Sequence, residues 1–133
     1  FTADAHHLTA PPDDGEGAVR SMGRAMRDGG IGPEMIDHVN VHGTSTPLGD
    51  IAETNALKTL LGTHAGAVNI CSTKSMTGHE CWMAGASEIV YSTLMMQNNF
   101  VAPNINFENP DEASAKLNIV SKIHDDDMAT AKA

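Results

Sequence analysis

The sequence predicts an α/β domain, and three observations lead there. Stretches with apolar residues at helical spacing alternate with short runs that suit strands. Two His–Gly pairs stand where such a run gives way to a loop, the place where open α/β sheets bind ligands. Hydrophobic residues make up 41% of the 133, enough for one globular core. Only 4% are aromatic and 8 are Met, so that core is expected to be aliphatic and filled by flexible thioethers.

The elements follow in order. Residues 1–12, with His6 and His7, lack the charged-then-apolar build of a signal peptide, and a chain opening on Phe1 reads as a cut lead-in. The domain is expected over 13–121. After Pro11-Pro12, Asp13 is an N-cap candidate with Glu16 at the capping-box position. Ala18, Met22, Ala25 and Met26 then share one helical face until Gly29-Gly30 stop it. Asp37 to His42 alternates as a strand. A loop of Gly43-Thr-Ser-Thr-Pro-Leu-Gly49 leads to Asp50, a second N-cap candidate with Glu53 in capping-box position, and Leu57, Leu60 and Leu61 give the stripe of that helix. Ala67 to Cys71 reads as a buried strand. From His79 to about Asn98 runs a helix apolar nearly all round, which implies a central place with neighbours covering it. Phe100 to Ala102 and Leu117 to Ser121 are further strands, and 122–133 is an acidic, low-complexity tail.

Composition excludes several functions. With 8 basic against 17 acidic residues the net charge is −9, the wrong sign for gripping a nucleic-acid backbone. No run approaches the length of a membrane span. The 2 cysteines, Cys71 and Cys81, form no CxxC, which fits a reducing cytoplasm.

The chemistry concentrates around the two His–Gly pairs, His42-Gly43 and Gly78-His79. A neutral imidazole donates from one nitrogen, and two such donors converging on one oxygen stabilise an oxyanion or enolate. Lys74 lies at a strand end and is costly to bury without a partner, for which Glu53 is the nearest candidate along the chain. Thr44, Ser45 and Thr46 offer hydroxyls to an amide-bearing or phosphorylated ligand. Lys74-Ser75 is no phosphate loop, because Val68 and Thr73 occupy the positions of its glycines. His42, Asp50, Glu53 and His79 lack the spacing of a helical zinc site. Cys81 reads as a packing thiol, and Trp82 and Met83 as core residues or the lining of an acyl cavity.

The segment Val41-His-Gly-Thr-Ser-Thr-Pro-Leu-Gly-Asp50 with Glu53, followed by Ser72-Thr-Lys-Ser-Met-Thr-Gly-His79, resembles the C-terminal half of β-ketoacyl-[acyl carrier protein] synthases. Gly15 to Arg20, Phe100 to Ile105 and Leu117 to Val120 extend the match from about Pro11 to Ser121. The resemblance implies a thiolase-like fold, here its C-terminal half and incomplete, with a mixed sheet and a buried central helix. It implies an acyltransferase that condenses an enzyme-bound acyl group with malonyl-acyl carrier protein in fatty-acid elongation, as a cytoplasmic homodimer. His42 and His79 match its catalytic histidines, Lys74 its lysine, Glu53 the acidic partner, and Thr44 and Thr46 the threonines on the phosphopantetheine arm. Asn40 and Glu88 match, more weakly, positions that hold a structural monovalent cation in some members; no cofactor is implied for catalysis.

The departures shape the expectation. The family's nucleophilic cysteine belongs to an N-terminal half outside this chain, and neither Cys71 nor Cys81 stands in its motif. The glycine-rich segment near the family's C-terminus is also missing. The chain is therefore expected to be inactive alone, with the apolar helix after His79 exposed for want of cover. Two other readings are a non-catalytic partner subunit that sets chain length and a polyketide-type ketosynthase.

Overall fold

The computed structural model describes residues 2–122, so all of the expected tail but Lys122 lies outside it. Among the described residues four α-helices and three short strands follow one another, with short 3-10 turns between them: α1 (Glu16–Gly29), β1 (His38–Asn40), α2 (Pro47–Leu61), β2 (Asn69–Cys71), α3 (Lys74–Thr77), α4 (Ala84–Asn98) and β3 (Asn118–Ile119). The strands lie in the order β1-β2-β3, and both pairings are parallel, with Val39 beside Ile70 and Ile70 beside Ile119. The expected mixed sheet is thus wholly parallel among the described residues. The α/β class stands.

Because side chains alternate across a strand, β2 sends Ile70 to one face and Cys71 to the other. Ile70 joins Leu57, Leu61, Ala65 and Val68, with Val39 and Ile119 packed against them, so α2 covers that face. Cys71 joins Met95, Val101, Ala102 and Val120 under α4. A parallel sheet buried on both faces is the usual solution for such strands.

Several boundaries differ from expectation. The residue capping α1 is Gly15, at φ +67°, not Asp13, while the Asp14 carboxylate accepts the Glu16 N–H at 3.0 Å. Helix α2 begins at Pro47 after Thr46, so Asp50 lies inside its first turn and Glu53 is no capping-box residue. Proline suits that first position because its missing N–H would have had no helical partner. Val101 and Ala102 are buried as a strand's residues would be, yet the segment is irregular. The Ala102 N–H donates to Met95 Sδ at 3.1 Å instead of to a ladder, and Pro103 follows.

The largest difference is α4. Only Ala84 and Met95 of this helix are buried, while Ile89, Val90 and Leu94 are 70%, 55% and 47% exposed. The helix does not form the buried centre of these residues; it presents an apolar face to solvent. No helix among the described residues is long and apolar enough to cross a membrane.

Candidate active site

The carboxyl ends of β1 and β2 are neighbours, and each opens into a histidine-bearing loop. The ladder continues one step, with Val41 N–H donating to the Cys71 carbonyl at 2.8 Å, before the chain turns at His42. Gly43 holds φ +41°, and a Cβ there would meet Ser72 Cβ and Oγ at 2.9 Å. Ser72 Oγ in turn donates to the Gly43 carbonyl at 3.0 Å, closing the two loops on each other. From α2, the Glu53 carboxylate accepts the His42 N–H at 2.7 Å and the Gly43 N–H at 2.8 Å. One carboxylate therefore fixes the peptide turn that aims the imidazole, a charge-assisted arrangement stronger than neutral bonds.

The second loop leaves β2 through Ser72-Thr73 into α3. Asn40 ties it to β1: its Nδ2 donates to Thr73 Oγ1 at 3.1 Å and its Oδ1 accepts the Thr73 N–H at 3.2 Å. Lys74 has a side chain only 5% exposed and forms an ion pair with Glu88 of α4, which is 18% exposed. The Lys74–Glu53 pair expected from chain order does not form, because Glu53 is held by the His42 loop while Glu88 faces Lys74. Asn40 and Glu88, expected to share a cation, are both engaged within the protein. Asn40 is bonded to Thr73 and Glu88 to the Lys74 ammonium.

His79 follows Gly78, whose φ +75° and ψ −179° belong to a region open essentially to glycine. The Cys81 N–H donates to His79 Nδ1 at 2.9 Å. A neutral imidazole that accepts at Nδ1 carries its proton on Nε2, so His79 presents a donor outward. The His42 and His79 ring centroids lie 5.1 Å apart at 88°, edge to face. Both rings are exposed. Thr44, Glu53, Lys74, Gly78 and His79 line one cavity of about 620 Å³, which continues past Asn104 to Ile119. The Thr44 and Thr46 hydroxyls are 3.0 Å apart at the start of α2, though Thr46, Asn40, His42 and Glu88 do not line that cavity.

Three comparisons bear on this geometry. Residues 1–108 match the family model described as the β-ketoacyl synthase C-terminal domain. The chain belongs to the β-ketoacyl synthase family. The chain is 48% identical, over 84% of its length, to a 3-oxoacyl-[acyl-carrier-protein] synthase 2 of Synechocystis, of which that match covers 27%. Its structure is similar, at a TM-score of 0.88 and 35% identity, to a type II polyketide ketosynthase solved with its acyl-carrier protein and bound to the hexaketide; 93% of this chain and 30% of that one align. The ishigamide ketosynthase/chain length factor aligns at 0.83 and 31%, over 92% of this chain and 30% of that one. The fold is thus thiolase-like, and the chain spans about a quarter of the length of the curated relatives it matches.

Within this synthase domain, sequence reasoning missed what Glu88 does. The signal was available: Glu88 is the one charged residue in α4, and a lone charge on an apolar helix needs a countercharge. Asn104 was also missed; its Oδ1 accepts the Ser72 N–H at 2.8 Å, and only the fold brings these together. Cys81 is exposed in a turn before α4 and is not a packing thiol, while Trp82 is fully exposed rather than in a core or cavity. Cys71 lies buried with Sγ 3.2 Å from His38 Nε2. Burial, with the Glu88 charge adding, pushes its thiol up to about 12, which keeps it protonated and unfit as a nucleophile.

Proposed function

We propose that this chain is the decarboxylating part of a 3-oxoacyl-[acyl carrier protein] synthase, a cytoplasmic acyltransferase of fatty-acid elongation. The observation that carries the reading is the approach of His42 and His79 to 5.1 Å between centroids, at the mouths of adjacent parallel strands. A malonyl thioester seated there would place its carbonyl oxygen against the Nε2–H of His79 and the imidazole of His42. As the bond to the carboxylate breaks, carbon dioxide leaves and its electron pair moves through the α-carbon to that oxygen. The two histidines stabilise the resulting enolate by donors already in place, which lowers the barrier because nothing reorganises. The enolate carbon then attacks an acyl thioester carbonyl held on a cysteine outside this chain, the new carbon–carbon bond forms, and the thiolate departs.

The buried Lys74–Glu88 pair braces α3 against α4 beneath the His79 loop. Thr44 and Thr46 would hydrogen-bond the phosphopantetheine arm of the acyl carrier protein, the partner in this reading. The exposed face of α4 would be covered by the rest of the synthase, which forms a homodimer. No step passes through a cation.

His79→Ala in a complete synthase carrying this chain tests the reading. Malonyl decarboxylation should fall about 10²–10³-fold, the usual cost of deleting one oxyanion donor, while acyl transfer to the nucleophile persists. Equal losses in both steps overturn it, as does 3-ketoacyl product from the 133-residue chain alone. The similarity to a ketosynthase/chain length factor favours a second reading, a non-catalytic partner subunit that shapes chain length. The residue at the nucleophile position of the complete protein separates the two, and competition between fatty-acyl and polyketide extenders separates off a polyketide ketosynthase.

A further inference from the structure

The loop that carries His79 contains two left-handed residues, Gly78 at φ +75° and Cys81 at φ +48°. Cys81 has a side chain, which resists that conformation, so its neighbours must enforce it. The enforced turn is what aims the Cys81 N–H at His79 Nδ1. Backbone bonds hold the loop's two ends, with Gly78 N–H on the Lys74 carbonyl and Met83 N–H on the Glu80 carbonyl. Between them, the Glu80 side chain reaches across to α4, where Tyr91 Oη donates to its Oε1 at 2.8 Å.

Tyr91 is a firm base for this contact. Its half-buried ring packs against the cluster of Cys71, Met95, Val101, Ala102 and Val120, which anchors the base of the side chain. The Ser87 and Tyr91 hydroxyls, with the Lys74 charge adding, hold the Glu80 carboxyl below the usual range, so it is an anion and a strong acceptor at neutral pH. Contacts thus run from the core through Tyr91 and Glu80 to the loop whose Cys81 N–H grips the His79 ring.

We infer that Glu80 and Tyr91 are positioning residues: their hydrogen bond holds loop 78–81 in the one turn that keeps His79 protonated on Nε2. Their effect on catalysis rests on the reading given above, whereas their effect on the tautomer does not. The charged and titratable groups around this loop are His42 across from the ring, Cys81 in the loop itself, Lys74 at the start of α3, Glu88 of α4, and Glu80 and Tyr91 themselves.

The experiment compares Tyr91→Phe, Glu80→Ala and Glu80→Gln in the full protein carrying this chain, with histidine labelled by nitrogen-15. Ring nitrogen shifts of His79, assigned by its loss in His79→Ala, report the tautomer above the imidazole pKa. The parent protein and Glu80→Gln, which keeps an acceptor carbonyl for Tyr91, should show one tautomer protonated at Nε2. Tyr91→Phe and Glu80→Ala should show a mixture, with kcat for malonyl decarboxylation down about tenfold at unchanged KM, well short of deleting the donor itself. Glu80→Gln should recover most of that rate, which a merely structural role for the charge would not explain. A single Nε2 tautomer surviving in both Tyr91→Phe and Glu80→Ala overturns the inference. Should Glu80→Ala fail to fold, Tyr91→Phe decides alone, because it keeps the packed ring. Mixed tautomers in Tyr91→Phe beside a parent protein without decarboxylase activity would uphold the inference and overturn the functional reading.

Discussion

The two histidine loops meet at the same point but are built in opposite ways. The His42 loop is held through its backbone: Glu53 grips two consecutive N–H groups from α2, the helix that packs with the sheet into one of the two cores. Its imidazole is left free of any tie to its own loop. The His79 loop has backbone bonds at its ends and side-chain ties between them: the ring is held at Nδ1 by the Cys81 N–H, and Glu80 leans on Tyr91 of α4, whose outer face is exposed. One loop fixes where the histidine is; the other also fixes which nitrogen carries the proton. The proposed pair of donors needs both properties, and the fold distributes them rather than duplicating them.

The sharpest way to break the second loop is beneath it. Glu88→Ala leaves the Lys74 ammonium buried and unpaired, and should cost about 3–5 kcal/mol in urea unfolding. Replacing both members by apolar residues of similar volume, Lys74→Met with Glu88→Leu, should recover most of that stability, since the buried pair is offset by its own desolvation. The corresponding cut in the first loop is Glu53→Ala, which removes the acceptor of two charge-assisted bonds. It should cost about 2–3 kcal/mol, less than the buried pair because the His42 N–H can turn to water. If Glu53→Ala proves the costlier of the two, the contrast between the loops is reversed.

The glycines refine the same contrast. Gly43→Ala meets Ser72 at 2.9 Å as well as an unfavourable φ, so strain and steric clash add. Gly78→Ala finds nothing within 4 Å and bears backbone strain alone, about 1–3 kcal/mol. Thermal unfolding should therefore rank Gly43→Ala as the more damaging substitution. The smallest effect lies away from both loops. Burial holds the His38 imidazole below its ordinary value of 6.5, so the folded state favours the neutral ring. The unfolded chain then binds more protons, and stability present above pH 6.5 should fall as the pH drops below it. Replacing His38 with Phe should flatten that slope between pH 7.5 and 5.5, measured as the shift in urea midpoint; an unchanged slope would assign it to another group.

What the sequence shows well here is periodicity and adjacency. The stripe of Leu57 and Leu61, the buried strand ending at Cys71, and the placing of His42 and His79 after strands all appear in the structure, because each depends on neighbours a few residues apart. Long-range partners were harder. Glu53 looked like a cap because its distance from Asp50 suits one, whereas the deciding fact is that α2 starts at Pro47 and turns Glu53 toward the His42 turn. Glu88 is 14 residues from Lys74, and only the break between α3 and α4 brings them together. The exposure of Ile89 and Val90 departs from the central place that an all-apolar helix suggests but agrees with the expectation that its face goes uncovered, since periodicity tells which surfaces seek cover and not where that cover comes from.

Trp82 reports on its own surroundings. It is the single tryptophan of the chain, it stands three residues from His79, and its ring is wholly in solvent. Indole emission depends on the water around it, so this residue is a built-in optical reporter of events on the α4 side of the site. A partner that settles over that helix should shift the emission to the blue without any attached dye. One that docks against α1 instead should leave the spectrum unaltered.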